Sequence, residues 1–378
     1  MKENLMWFKN FTFFILLSIS TFSYSDNWIL VTGGSGYIGS STSLYLAEQN
    51  NKVIILDKKA PQGSYLSKVG CLFDSKENKQ LNPKNSEVNA LNNIFFVQGD
   101  YADEALLDKI FTNYKIEAVV HFAGFIEAQA SVKDPLSFYE NNVVKTITLL
   151  KKMLFYKVNK FIFSSSAAVY GNAKEMPIKE NCLRMPINPY GQTKCMLEFI
   201  LEDFVKAYNL QAVALRYFNA AGAMPEYDLG ERHENETHLI PILLDCIHNN
   251  KEFKIFGDTY KTKDGTCIRD YIHIKDLARA HYLALKYLNE NNSIKFEPFN
   301  LGSGIGYSVK EIVEIAKKVT NKNLKYSIVG KREGDPDILT CNIEKAQTIL
   351  NWKPEHSDIQ KLISDANSFY VSNYLQKN

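Results

Sequence analysis

The 378-residue sequence has no CxxC pair: Cys71, Cys182, Cys195, Cys246, Cys267 and Cys341 are scattered along it. That scatter excludes a zinc ribbon or a dithiol redox motif, so the thiols are read as reduced and structural. No cysteine stands near His233 or His238. Metal-ligand spacing is therefore read as absent, and no metal is expected. Charge of one sign is missing too. Lys and Arg number 44 against 42 Asp and Glu, a formal net charge of +2. With no basic stripe, that balance argues against a nucleic-acid partner. Neither an internal repeat nor a low-complexity tract is visible. What remains is ordinary globular composition, 45% hydrophobic and 23% charged, in a chain long enough for two domains or one large α/β domain with an added lobe.

Short apolar runs recur at Trp28–Thr32, Val53–Leu56, Ile94–Val97, Ala118–Phe122, Phe161–Ser164 and Ala212–Leu215. Helical spacing separates them, as in Ser40–Gln49. Alternating buried strands and helices predict a Rossmann-type, doubly wound parallel sheet over residues 26–217. Residues 61–93 are mostly polar and are read as a surface insertion in a crossover. Beyond residue 218 the pattern loosens, with helical stretches at Ile274–Leu288 and Val309–Val319. The segment 218–378 is read as a smaller substrate-covering lobe, partly interleaved with the first.

Val31-Thr32-Gly33-Gly34-Ser35-Gly36-Tyr37-Ile38-Gly39 follows a strand and opens a helix. Glycines permit a tight turn and close approach of a pyrophosphate, and the helix N-terminus offers free N–H groups to that anion. Asp57 ends the next strand, where a carboxylate holds adenosine ribose hydroxyls and repels a 2′-phosphate. NAD is therefore favoured over NADP, although Lys58 and Lys59 follow directly.

Tyr190 and Lys194 form a YxxxK at the head of a helix, on one face. A free phenol, with a pKa near 10, is a poor base at neutral pH. A cation about 6 Å away at an effective dielectric of 20 contributes roughly 3 kcal/mol, about two pH units. The charge of a nicotinamide would add to this. Upstream, Phe161-Ile-Phe-Ser-Ser-Ser-Ala-Ala-Val-Tyr-Gly171 puts Ser166 in a small-residue turn where it can hydrogen-bond a substrate hydroxyl.

TGGSGYIG, HFAG (His121–Gly124), SSSAAVYG, NPYGQTK, LRYFNAAGA, IRDYIHIKDLA and REGDPD follow one another in this order. Over residues 27 to about 355 the chain resembles the extended short-chain dehydrogenase/reductases, and among them the UDP-glucose 4-epimerases. The resemblance implies Tyr190 as base, Ser166 as its partner, and Lys194 as ribose ligand and pKa-tuning group. It implies NAD contacts from Gly33, Gly36, Tyr37, Ile38, Gly39, Asp57, Asp100, Tyr101, Phe122, Ala123, Asn141 and Tyr217. Asn219, Arg269, Arg332 and Asp335 would hold the UDP part of a UDP-sugar, and Leu339 falls where side-chain size limits the sugar. A homodimer is expected on the same ground.

Two departures stand out. Ile126 occupies a position where some epimerases carry a lysine near the cofactor phosphates. Ala167 and Ala168 stand where a 4,6-dehydratase would carry its Asp-Glu pair, which turns the reading from dehydration. A non-catalytic NAD-binding regulator is the rival from another class, and the intact Tyr–Lys pair argues against it.

The N-terminus is extra. Phe11–Ser20 is apolar, follows Lys2 and Lys9, and precedes Ser23-Tyr24-Ser25. Residues 1–25 have the outline of a secretory signal peptide, and their apolar run is too short for a comfortable membrane span. An extension on a cytosolic enzyme fits the same residues, and the need for NAD favours cytoplasmic work.

Overall fold

The computed structural model describes residues 27–375 apart from 64–65, 74–92, 234–235, 292, 294 and 333–334. The signal-like segment 1–25 and most of the polar insertion lie outside the described residues. The first seven strands are β1 (Trp28–Thr32), β2 (Lys52–Asp57), β3 (Gly70–Phe73), β4 (Ile94–Gln98), β5 (Ile116–His121), β6 (Lys160–Ser166) and β7 (Gln211–Tyr217). Three more, β8 (Asn219–Ala221), β9 (Phe253–Phe256) and β10 (Ile268–His273), precede β11 (Phe296–Leu301). The main sheet has eight strands in the order β11-β7-β6-β5-β1-β2-β4-β3. Every neighbouring pair in it is parallel. This is the Rossmann-type architecture that the alternation predicts.

The strands read as unbroken apolar runs because both faces are covered. Ile29 and Val31 pack with Leu44 and Leu46 of α1 (Tyr37–Glu48). Leu30, between them, points to the other side and meets Leu107 of α2 (Glu104–Asn113). After the short helices α3 (Ala128–Lys133) and α4 (Pro135–Phe138), α5 (Lys145–Phe155) and α6 (Pro189–Ala207) join α2 on that second face. The helices α7 (Leu239–His248) and α8 (Ile274–Glu290) come next, and α8 lies with α1 on the first face. Strand order reverses at β1, between β2 and β5. Ligands of such sheets bind outside the carboxyl ends at that reversal.

The chain after β7 builds a third core. β10 pairs with β8 and with two short strands, β12 (Gly306–Ser308) and β14 (Ile338–Leu339), while β9 pairs with β13 (Tyr326–Val329). Helix α7, α9 (Val309–Thr320) and α11 (Ile359–Tyr370) pack together over Ile312, Leu243 and Leu362, and α10 (Glu344–Ile349) precedes α11. Helix α8 and strand β11 return to the Rossmann sheet, so the two halves of the sequence interleave in space.

The insertion differs in one respect from its reading as a plain surface loop. Gly70–Phe73 forms β3 and extends the sheet edge, with Gly70 opposite Phe95 and Cys71 opposite Phe96. A four-residue strand between polar neighbours has too little period to announce itself, and β4's open edge organises it. Among the described residues no helix is long and apolar enough to cross a membrane. Cys182, Cys195, Cys246, Cys267 and Cys341 are free thiols, in accord with their scattered spacing.

Candidate active site

A cavity of about 580 Å³ opens at the carboxyl ends of the strands. The glycine turn forms one wall. Gly33 has φ +71°, and a Cβ there would stand 2.5 Å from the backbone nitrogen of Ala123, so the turn and the HFAG strand end approach as only glycine allows. At Gly39 a Cβ would strike the carbonyl of Gly33. Gly36 is the N-cap of α1 and brings no capping side chain, leaving the first-turn N–H groups of Tyr37 and Ile38 on the cavity wall. Asp57 accepts from the backbone N–H groups of Ser35 and Lys59, 3.1 Å each, at the end of β2. Burial raises its pKa, and those N–H bonds work against the rise. The buried hydroxyl of Ser35 has no partner among the described residues. A cradle that rejects any Cβ, a helix N-terminus, an oriented carboxylate and an unspent hydroxyl together fit a dinucleotide.

Tyr101, Phe122, Ala123, Asn141 and Tyr217 line the same cavity, as the resemblance implies. The Tyr101 hydroxyl donates to the Asn141 carbonyl, and Tyr217 is hydrogen-bonded to buried His281. Asp100 stands apart from this wall. It pairs with Lys145 at 2.5 Å and Lys58 at 3.1 Å, which hold its carboxyl below the usual range despite its partial burial. Ile126 is exposed and lines the cavity without a charge.

The opposite wall is β6 and the start of α6. Asn188 caps α6 by accepting from the N–H of Gly191 at 2.8 Å, and Pro189 begins the helix. Tyr190 and Lys194 then project from successive turns into the cavity beside Ser164, Ser165 and Ser166. The Lys194 ammonium lies 5.9 Å from the Tyr190 ring centre and donates to the Ser164 carbonyl at 2.7 Å. Burial pushes Lys194 down to about 8. Burial also raises Tyr190, and its hydrogen bond with Ser166 only partly offsets that. The expected downward tuning by Lys194 is therefore not achieved by the protein alone, because desolvation of the phenolate outweighs it.

Beneath this wall lies a charged network that sequence reasoning missed. Glu198, fully buried on α6, takes two bonds from Arg216 of β7, at 2.9 and 2.5 Å, and one from Ser165 at 2.6 Å. Arg216 also donates to the Tyr170 hydroxyl at 2.7 Å. The helix that carries Tyr190 is thus tied to the strand that carries the serine turn.

On the far side Asn219 donates to the Asp270 carbonyl at 2.8 Å and reaches the cavity. Arg269 and Asp335 are brought together at 2.8 Å, and Arg269 also donates to the carbonyls of Ile268 and Pro336. Arg332 stacks on Phe256 at 3.9 Å, and Leu339 pairs in register with Arg269. These four form a separate patch, off the main cavity wall. A further cluster escaped the sequence reading. Glu231, His233, Glu236 and His238 converge at the cavity rim. Two histidines five apart, interleaved with two glutamates, were the available signal. Considering only cysteine and histidine partners concealed it.

The fold and this wall define a dinucleotide-binding Rossmann enzyme with a tyrosine and a lysine at the reacting end. The NAD dependent epimerase/dehydratase family is matched over residues 29–302, and the chain belongs to that family. It is 45% identical over 339 residues to a UDP-glucose 4-epimerase of Halalkalibacterium halodurans, covering 89% of this chain and 94% of that one. The UDP-glucose 4-epimerase of Bifidobacterium longum, solved in complex with NAD+ and UDP, superposes with TM-score 0.80 at 34% identity, over 92% of this chain and 99% of that one. The UDP-Glc/GlcNAc 4-epimerase of Campylobacter jejuni gives TM-score 0.75 at 37% identity, over 92% and 99%.

Proposed function

We propose that this protein is an NAD-dependent UDP-glucose 4-epimerase that interconverts UDP-galactose and UDP-glucose. The observation that carries the reading is the shared cavity, where the glycine cradle faces Tyr190, its partner Ser166 and Lys194. Bound NAD would supply a reversible hydride acceptor for sugar C4, so no net oxidation would occur. Gly33, Gly36 and Gly39 admit its pyrophosphate, and Asp57 holds its adenosine ribose. Tyr190 takes the proton from the sugar O4 hydroxyl, and Ser166 orients that hydroxyl and relays the proton. Lys194, held by the Ser164 carbonyl, stabilises the phenolate. The 4-keto sugar turns about its link to the diphosphate and is reduced on its other face. Asn219, Arg269, Arg332 and Asp335 hold the UDP part throughout, so binding energy remote from C4 lets the sugar be loosely held.

Ala167 is buried, and its methyl group, like that of Ala168, has no acid–base function, which favours epimerisation over dehydration. The test is incubation of the purified protein with UDP-galactose and no added cofactor. UDP-glucose is expected. A 4-keto-6-deoxy product, or no turnover, refutes the reading.

A second reading concerns range. Leu339, smaller than a tyrosine, stands beside Arg269, and this favours acceptance of the UDP-N-acetylglucosamine and UDP-N-acetylgalactosamine pair. We also read the working unit as a cytoplasmic homodimer. Exposed Val132, Leu136, Val144 and Phe155 around α3–α5 support an apolar partner surface, which the mass in solution tests.

A further inference from the structure

The segment between Leu229 and α7 carries Glu231, His233, Glu236 and His238 within eight residues. One donor atom from each lies within 4.8 Å of all the others. His233 Nδ1 is 3.2 Å from Glu231 Oε1 and 3.6 Å from a Glu236 oxygen. His238 Nδ1 is 3.6 Å from the other Glu236 oxygen and in close contact with Glu231 Oε1. Each imidazole thus presents one nitrogen to both carboxylates. A single N–H points at one acceptor, so hydrogen bonding leaves this crossed arrangement half served. One central ion serves it whole. For a tetrahedral ion with bonds of about 2.1 Å, donor atoms sit about 3.4 Å apart, which three of these four pairs match; the His238–Glu231 pair, in direct hydrogen-bond contact, has to open by about 1 Å to admit the ion.

We infer that Glu231, His233, Glu236 and His238 form a divalent transition-metal site with two nitrogen and two oxygen ligands. Imidazole nitrogen favours Zn²⁺, Co²⁺ or Mn²⁺ over Ca²⁺ and Mg²⁺, which prefer oxygen alone. The charges balance, since two carboxylates offset the ion and both imidazoles stay neutral. Glu231 is buried, so its carboxylate needs a compensating cation. Glu236 is oriented from outside, accepting from the N–H groups of Thr237 and His238 at 2.8 Å each.

The place of the site defines its task. Glu231, His233 and His238 line the cofactor cavity, while Glu231, His233 and Glu236 line a second cavity of about 300 Å³ walled by Phe369 and Tyr374. The ion fastens the covering segment between the glycine-turn end of the cofactor site and the C-terminal helix. It is structural, and it stands independently of which sugar the enzyme turns over.

The full chain, purified without a histidine tag or chelator, is analysed for bound metal. About one Zn²⁺ or Mn²⁺ per chain is expected, falling to about a tenth of that in the His233→Ala/His238→Ala variant. Chelation should lower Tm, and Zn²⁺ should restore it. Should the double variant fail to fold, Co²⁺ titration of the chelator-treated wild type decides, by the visible d–d bands of a tetrahedral ion. Absence of stoichiometric metal together with absence of those bands overturns the site, and shows the cluster to be an imidazolium–carboxylate network. Wild-type metal content in a folded double variant overturns it as well.

Discussion

The β6–α6 wall of the cavity and the separate patch beyond Asn219 hold their polar groups in opposite ways. On the β6–α6 side Ser166 ends a strand while Tyr190 and Lys194 stand on the first turns of a helix, among buried neighbours braced by the Glu198–Arg216 pair. Their cost is desolvation, visible in the raised Tyr190 and the lowered Lys194. On the far side Arg269 and Asp335 satisfy each other, and Arg332 lies flat on Phe256. Their cost is competition, because an incoming diphosphate must displace or share bonds already made. One side is poised by strain against burial, and the other by exchange of partners. Chemistry belongs on the first and recognition on the second.

Substituting the phenol should break the first side most completely. Tyr190→Phe keeps the ring packing but removes the proton acceptor, and kcat for UDP-galactose should fall about a thousandfold, the usual scale of general base catalysis. Bound NAD and KM should change little. A kcat within about tenfold of wild type would assign the base elsewhere.

Next comes Lys194, whose folded-state pKa of about 8 lies below the ordinary 10.5. The unfolded chain binds that proton more tightly than the folded one, so stability should rise as pH climbs between those values. The full penalty, about 3 kcal/mol, is present below pH 8. Lys194→Met should therefore raise Tm at pH 7, and its advantage over wild type should shrink as pH approaches 10. Melting curves across that range check this, and a difference independent of pH would exclude buried charge as the cause.

Legibility followed the range of the interactions. The glycine turn and the Tyr190–Lys194 pair are local, so spacing foretold the turn and the shared helix face, while their meeting in one cavity was implied only by the resemblance. Asp57 was legible because it ends the strand after the turn. The partner of Arg269 was not. Neighbouring Asp270 is buried and receives the N–H groups of Ser303 and Gly304, whereas Arg269 turns to Asp335, 66 residues away. The direction of Tyr190's shift was missed for a related reason. A pairwise Coulomb estimate counts the cation but not the water removed around the phenol. Nothing local in the sequence marks Glu198, and only the packing of α6 against β7 shows it fully buried.

The recognition side should respond more mildly and in KM. Arg269→Ala removes charge-assisted bonds worth about 1.5–3 kcal/mol, so KM for UDP-galactose should rise about ten- to a hundredfold with kcat nearly unchanged. An equal loss in kcat would mean that Arg269 acts at the reacting centre, and the division between the two sides would fail.

The smallest effect should come from Leu339→Tyr. Leu339 is partly buried beside Arg269 and packs toward Cys341 and Ile343, so a larger side chain has to project into the space next to the recognition patch. Filling that space disfavours an added acetamido group by steric exclusion, an effect of about 1–3 kcal/mol for a few heavy atoms in a pocket. Turnover of the N-acetylated pair should fall about tenfold or more relative to UDP-glucose, with the rate on UDP-glucose preserved because Tyr190 and Ser166 are untouched. If both substrates fall together, Leu339 supports the patch and does not gauge the sugar. If neither changes, the acetyl group is accommodated elsewhere in the cavity, and size selection must be sought on the wall that carries Phe218 and Phe125.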